Sequence, residues 1–167
     1  VKAVSRIESV GAIAALNERI DAEPDFAEAL RETHRAYAAD RAGDLAEVRA
    51  ALAAGADVEA VDSARATPLV LAAYGNHVAV ARTLVDAGAD VNHQDRTQQS
   101  AYLIATSEVG DDPRLLELTL AAGADITATD SYNGTGLIRA AERGYPRIVA
   151  RLLAAGVEVD HVNRLGW

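Results

Sequence analysis

Apolar and polar positions alternate in short blocks along much of this chain. Thr67-Pro68-Leu69-Val70-Leu71-Ala72-Ala73 is an apolar block opened by a hydroxyl side chain and a proline. That pattern predicts a short helix: Thr67 can cap the exposed amides, and Pro68 suits the first turn, where a missing N–H costs little. Asn76 ends it, because Asn and Gly tolerate the left-handed backbone that follows a helix. A second helix is predicted over Val78 to Ala87, with Val80 and Leu84 on its apolar stripe and Gly88 as its stop. Residues 89–95 are polar and turn-rich, which predicts an extended loop that bends back on itself.

The same pattern recurs. Ala-Gly-Ala or a near relative places its glycine at Gly55, Gly88, Gly123 and Gly156, at intervals of 33, 35 and 33 residues. Seven residues after each glycine stand Asp62, Asp95, Asp130 and Asn163, in the same register. Twelve residues before it stand Gly43, Asn76 and Gly144, while the longer unit has Asp111 there, beside Gly110. Pro113 and Pro146 share one slot, the opening turn of the second helix. Residues 1–33 do not fit the period. Ser9 to Ile20 and Phe26 to Arg41 each read as helical, broken around Pro24. A stacked array needs a polar-faced end unit, and this acidic segment is expected to supply it; a dedicated binding segment is the alternative.

The stretch from Thr67 to Asp95, TPLVLAAYGNHVAVARTLVDAGADVNHQD, resembles the ankyrin repeat, and the resemblance extends from His34 to Trp167. It implies an all-α fold: an ankyrin-repeat solenoid of stacked helix pairs with projecting β-hairpins, about four units over residues 34–167, preceded by an N-terminal helical cap. The first unit is degenerate, with His34-Arg35-Ala36-Tyr37 where Thr-Pro-Leu-His is usual. The usual hairpin glycine is replaced by Arg65, Gln98 and Asn133, so less regular hairpins are expected. The family's first-helix histidine is Val70, Leu103 or Ile138, and the bond it makes is expected to be missing.

Composition narrows the chemistry. The 167 residues hold 16 Lys plus Arg against 25 Asp plus Glu, a formal charge of −9, with no Cys, no Met and one Trp. An excess of acid repels phosphate backbones and speaks against general nucleic-acid binding. No apolar run reaches the roughly 18 to 20 residues of a membrane span. Zero Cys removes disulfides and thiolate chemistry; a cytoplasmic setting is favoured, with a periplasmic one open if a leader precedes Val1. The four histidines, His34, His77, His93 and His161, lack ligand spacing, so no metal or cofactor is expected. His77 is expected to make a local hydrogen bond, and His93 and His161 to face a partner from equivalent hairpin positions. Asn133-Gly134-Thr135-Gly136 holds a glycosylation sequon and two glycines, but its register reads as a hairpin turn. Asp57, Asp90 and Asp125 recur periodically, as a structural role requires and a single catalytic pair does not. No nucleophile, acid or base constellation emerges, and the chain is read as a non-enzyme.

Function is then expected at positions that vary while the frame stays fixed. The family resemblance points to the same hairpin tips and inner helix ends, which form one concave surface. Carried over, they are Arg41 with Ala42; Ser63, Ala64, Ala66, Tyr74 and Gly75; Arg96, Thr97, Gln99, Ser107 and Glu108; Ser131, Tyr132, Gly134, Glu142 and Arg143; then Arg164, Leu165 and Trp167. Tyr, Trp and Arg dominate many interfaces, so the set suits a protein partner, although Tyr74 or Tyr132 could instead pack over a neighbouring hairpin. The leading expectation is a scaffold that binds a protein through its concave face. The alternative is a regulatory or inhibitory subunit of an enzyme, engaged through the N-terminal helices. Asn163 to Trp167 opens one more hairpin, leaving an apolar flank around Leu137, Ile148, Val149, Leu152 and Leu153. Continuation into further repeats is favoured there over self-association or cover by the partner.

Overall fold

The computed structural model describes residues 45–167. The expected cap, the degenerate opening of the first unit, Arg41, Ala42 and Gly43 lie outside the described residues. Seven helices follow: α1 Leu45–Ala53, α2 Pro68–Tyr74, α3 Val78–Asp86, α4 Ala101–Ser107, α5 Pro113–Ala121, α6 Gly136–Arg143 and α7 Pro146–Ala154. They pair as α2 with α3, α4 with α5 and α6 with α7. The first helices stack as α2, α4, α6 and the second helices as α1, α3, α5, α7. This is an all-α solenoid, in which helices too short to be stable alone are held by their neighbours.

Local chemistry starts and stops each helix as the pattern predicts. The hydroxyls of Thr67, Ser100 and Thr135 accept from Val70, Leu103 and Ile138 N–H at 3.4, 3.3 and 3.4 Å. Such a cap contributes about 1 kcal/mol. Pro68, Pro113 and Pro146 occupy first turns. Asn76 and Gly144 are left-handed, with φ of 53° and 71°. In the longer unit that role falls to Gly110 at φ 81°, not to Asp111. The stretches 54–67, 87–100 and 122–135 are equal in length, so the insertion sits wholly in the α4–α5 turn, residues 108–112.

The core is one continuous cluster between the two stacks, including Leu69, Leu84, Leu103, Ile104, Leu115, Leu116, Ile148 and Leu152. Ile148 and Leu152 were expected on an open flank; both are fully buried, because α7 packs against α5. Leu137 and Val149 are partly buried against the core, and Leu153 is exposed. Tyr102 lies buried beneath α6, where a Cβ on Gly136 would stand 2.7 Å from the Tyr102 hydroxyl. Burial raises the Tyr102 pKa to about 12, and its hydroxyl donates to Ile126 O at 3.4 Å.

Candidate functional site

Four loop tips, here called fingers 1 to 4, share one construction. Each begins at the periodic Asx residue, whose Oδ1 accepts two amides of its own finger. Asp62 takes Ala64 and Ala66 N–H at 2.8 and 2.9 Å, and Asp95 takes Thr97 and Gln99 at 2.7 and 3.1 Å. Asp130 takes Tyr132 and Gly134 at 2.8 and 2.9 Å, and Asn163 takes Leu165 and Trp167 at 2.9 and 3.0 Å. The fourth residue of each finger is left-handed: Arg65, Gln98 and Asn133 at φ 61°, 60° and 60°, Gly166 at 82°. The turn geometry is thus uniform across the four fingers although three of them lack the glycine. A non-glycine residue there costs on the order of 1–3 kcal/mol, and the side-chain oxygen offsets it by holding both flanking amides. The implied β-hairpins are reduced to these turns; Thr129 with Thr135 forms an isolated antiparallel bridge.

Fingers 1 and 2 are joined by main chain, Arg96 N–H to Ala64 O at 2.9 Å, and by the His93 ring, Nε2 to Arg65 O at 2.7 Å. Fingers 3 and 4 repeat this: Arg164 N–H to Tyr132 O at 3.0 Å, and His161 Nε2 to Asn133 O at 2.8 Å. The two histidines expected to face a partner thus bind the preceding finger. His77 likewise departs from expectation: its ring lies against Gly75, and its side chain makes no capping bond. Asp57, Asp90 and Asp125 fill the structural role read for them, accepting Glu59, Asn92 and Thr127 N–H at 2.9 Å each.

Fingers 2 and 3 are joined differently. Ala128 stands where the other units have His93 and His161, and no main-chain bond connects the two fingers among the described residues. Gln94 Nε2 donates instead to Gln98 O and Thr129 O, both at 3.2 Å. The main tie is Arg139, which the sequence reading did not single out. Its guanidinium reaches Asp130 Oδ2 and Ser107 Oγ at 2.6 Å, Gln99 Oε1 at 2.8 Å and Glu108 Oε1 at 3.3 Å. Burial works to raise the Asp130 carboxyl, but the Gly134 and Tyr132 amides and the Arg139 charge outweigh it and hold it below the ordinary carboxylate value. The signal was present: Arg139 occupies the slot of Leu71 and Ile104, counted from the helix caps.

Of the residues expected to face a partner, Ser63, Ala64, Tyr74, Arg96, Thr97, Glu108, Ser131, Tyr132, Glu142, Arg143, Arg164 and Trp167 are exposed. Ala66 and Ser107 are not. Ala66 closes finger 1 directly before the buried Thr67 cap, and Ser107 is covered by Arg139. Gly134 is buried against the Asp130 carboxylate, and Gln99 is partly buried on Arg139. Tyr74 lies over the next finger, its hydroxyl donating to Asp95 Oδ2 at 3.3 Å, with its pKa raised chiefly by burial. Arg143 pairs with Glu108 at 3.5 Å. Tyr132 and Trp167, at 60% and 61% exposed, stand free at the tips. No helix among the described residues is long and apolar enough to cross a membrane.

A model of ankyrin repeats, in three copies, matches residues 7–95 and 34–130. The putative ankyrin repeat protein YahD of Escherichia coli (strain K12) is 36% identical over 126 residues, 75% of this chain and 62% of that protein. An ankyrin repeat, SAM and basic leucine zipper domain-containing protein 1 from Dasypus novemcinctus is 32% identical over 119 residues, 70% of this chain and 25% of its own. Glycerophosphocholine phosphodiesterase gde1 of Schizosaccharomyces pombe is 32% identical over 102 residues, only 9% of that protein. The chain thus spans less than two thirds of the length of these relatives. Ankyrin repeats generally mediate protein–protein interactions. With the periodic frame and the matching family model together, this chain belongs to the ankyrin-repeat family.

Proposed function

We propose that this chain is a non-catalytic scaffold that engages a protein partner through its finger tips and the adjoining ends of α2, α4 and α6. The observation that carries the reading is a division of labour within each finger. The recurring Asx residue is consumed by the turn, while the residues that vary between fingers include large side chains left in solvent, Tyr132, Leu165 and Trp167. Trp and Tyr at such positions bring large contact area at low entropic cost. Residues 1–33 serve in this reading as the polar end unit of the array.

The test is affinity capture with mass spectrometry, comparing the native chain with Tyr132→Ala and with Arg82→Ala on the outer helix α3. A partner lost on the first change and retained on the second supports the tips. The opposite ranking moves the site to the outer helices.

A further inference from the structure

Charge is segregated along each loop. The loop bases, residues 55–61, 88–94, 123–129 and 156–162, carry Asp57, Glu59, Asp90, Asp125, Glu158 and Asp160 and no Lys or Arg. The tips, residues 63–66, 96–99, 131–134 and 164–167, carry Arg65, Arg96 and Arg164 and no acid. The carboxylates at the roots of fingers 1 to 3 are turned into their own amides. Arg65 and Arg96 make no side-chain hydrogen bond or ion pair among the described residues, and Arg164 meets only a main-chain carbonyl, Ser131 O at 3.0 Å. Arg114, Arg139, Arg143 and Arg151 each meet a carboxylate, whereas Arg49 and Arg82 on the second helices, like the tip arginines, meet none among the described residues. A chain of net charge −9 thus presents arginines with no carboxylate partner at the tips of fingers 1, 2 and 4.

Large hydrophobic side chains are confined to fingers 3 and 4 on the same edge. The third residue of successive fingers runs Ala64, Thr97, Tyr132, Leu165, and Trp167 follows. Tyr132, Leu165 and Trp167 are 60%, 63% and 61% exposed. We infer that the finger edge binds an extended acidic peptide segment, with its carboxylates on Arg65 and Arg96 and its apolar side chains on Tyr132 and Leu165. This rests on the tips being the partner surface. Arginine suits the task because its planar fork meets a carboxylate in two parallel bonds. Screening over about 8 Å at physiological salt limits repulsion from acids elsewhere on the chain. Fingers spaced like packed helices, about 8–10 Å apart, span roughly 30 Å from first to fourth. An extended chain covers that with about ten residues. A nucleic acid is the weaker candidate: its phosphates would run unbroken past finger 3, whose tip carries no arginine, whereas a peptide can confine its acids to fingers 1 and 2.

The single tryptophan of the chain stands on finger 4, so its fluorescence reports occupancy directly. The probes are a tryptophan-free peptide of about ten residues, acidic in its N-terminal half and Leu/Phe-rich in its C-terminal half, the same peptide with Lys for each acid, and an oligothymidylate. The order-reversed acidic peptide covers the opposite direction. The expected result is a saturable shift of Trp167 emission with an acidic peptide, weakened about tenfold by Arg96→Glu and by added salt, and unchanged by Arg82→Glu. Equal or tighter binding of the Lys peptide or the oligothymidylate overturns the inference, as does equal sensitivity to Arg96→Glu and Arg82→Glu. If Tyr132→Ala abolishes partner capture while the acidic probes fail, the acidic preference falls and the tip surface stands. If capture ignores Tyr132, both fall.

Discussion

Two kinds of joint hold this array together. Fingers 1–2 and 3–4 are joined by a main-chain bond and a histidine ring, ties that depend on backbone register. Fingers 2–3 have neither and rely on Gln94 and Arg139. The second kind occurs where the unit is two residues longer, and the extra turn supplies replacements. Glu108, in that turn, accepts from Arg139. Asp111 reaches across to α7, taking Arg147 and Ile148 N–H at 2.9 and 3.0 Å. It caps a helix whose own N-cap residue, Tyr145, offers no side-chain cap. The helices follow suit, with Tyr102 filling the interface beneath Gly136. A repeat can thus exchange main-chain ties for side-chain ties without losing its stack, but the exchanged joint depends on single residues.

The sharpest break follows from Arg139→Met, which leaves Asp130, Ser107 and Glu108 without their shared partner. A nearly buried pair broken on one side costs about 3 kcal/mol, seen as a lower melting temperature and faster hydrogen exchange in finger 3. Loss of less than the effect of His161→Ala would contradict the assignment of Arg139 as the main tie. The same joint carries an acid limb. Because the folded Asp130 pKa is depressed, its stabilisation is complete above the unfolded value of about 3.9 and is lost as pH falls through the folded value. Asp130→Asn should keep the finger, as Asn163 does in finger 4, while flattening the acid limb of the melting profile, below the unfolded value of about 3.9.

Gly136→Ala comes next. Its Cβ would fall 2.7 Å from the Tyr102 hydroxyl and 2.9 Å from Thr106 Cγ2, an overpacking cost of about 1–3 kcal/mol. The double change with Tyr102→Phe should recover part of this loss. Strict additivity in thermal melts would show that the close contact is not what forbids the methyl group.

These residues also mark where the sequence could be read and where it could not. Helix caps, prolines and left-handed stops were legible because each acts within a few residues of itself: Thr67 needs only Val70, and Asn76 only the helix before it. Arg139 was not, since its partners lie up to 40 residues away, and only its place in an apolar slot betrays it. Variation between units was taken as freedom from fold duty, which failed for Ala66 and Ser107. At such positions the neighbour varies too, so a changed residue can still be an interior one. His93 and His161 failed for a related reason: a polar ring in a polar loop carries no local sign that its acceptor is the carbonyl of another finger.

His161→Ala tests the other kind of joint at smaller scale. It removes one ring bond while the Arg164 N–H to Tyr132 O bond remains, so a loss of about 1 kcal/mol is expected. A loss as large as that of Arg139→Met would erase the distinction between the joints.

The smallest effect is also the one that asks whether the joints are interchangeable. Ala128→His would place an imidazole in the slot of His93 and His161, beside a polar cleft of about 350 Å³ lined by Asn92, Gln94, Gln98, Asp125, Thr127, Ala128 and Thr129. If finger spacing at this joint matches the others, the new Nε2 reaches Gln98 O and frees Gln94 to hold Thr129 alone. The expected gain is at most about 1 kcal/mol, because one weak donor to that carbonyl is exchanged for another. The gain should be larger in the Arg139→Met background, where the joint has lost its main tie. A histidine that stabilises neither background would show that the insertion has moved fingers 2 and 3 out of the common register, so that side-chain ties there are the only ones the geometry permits.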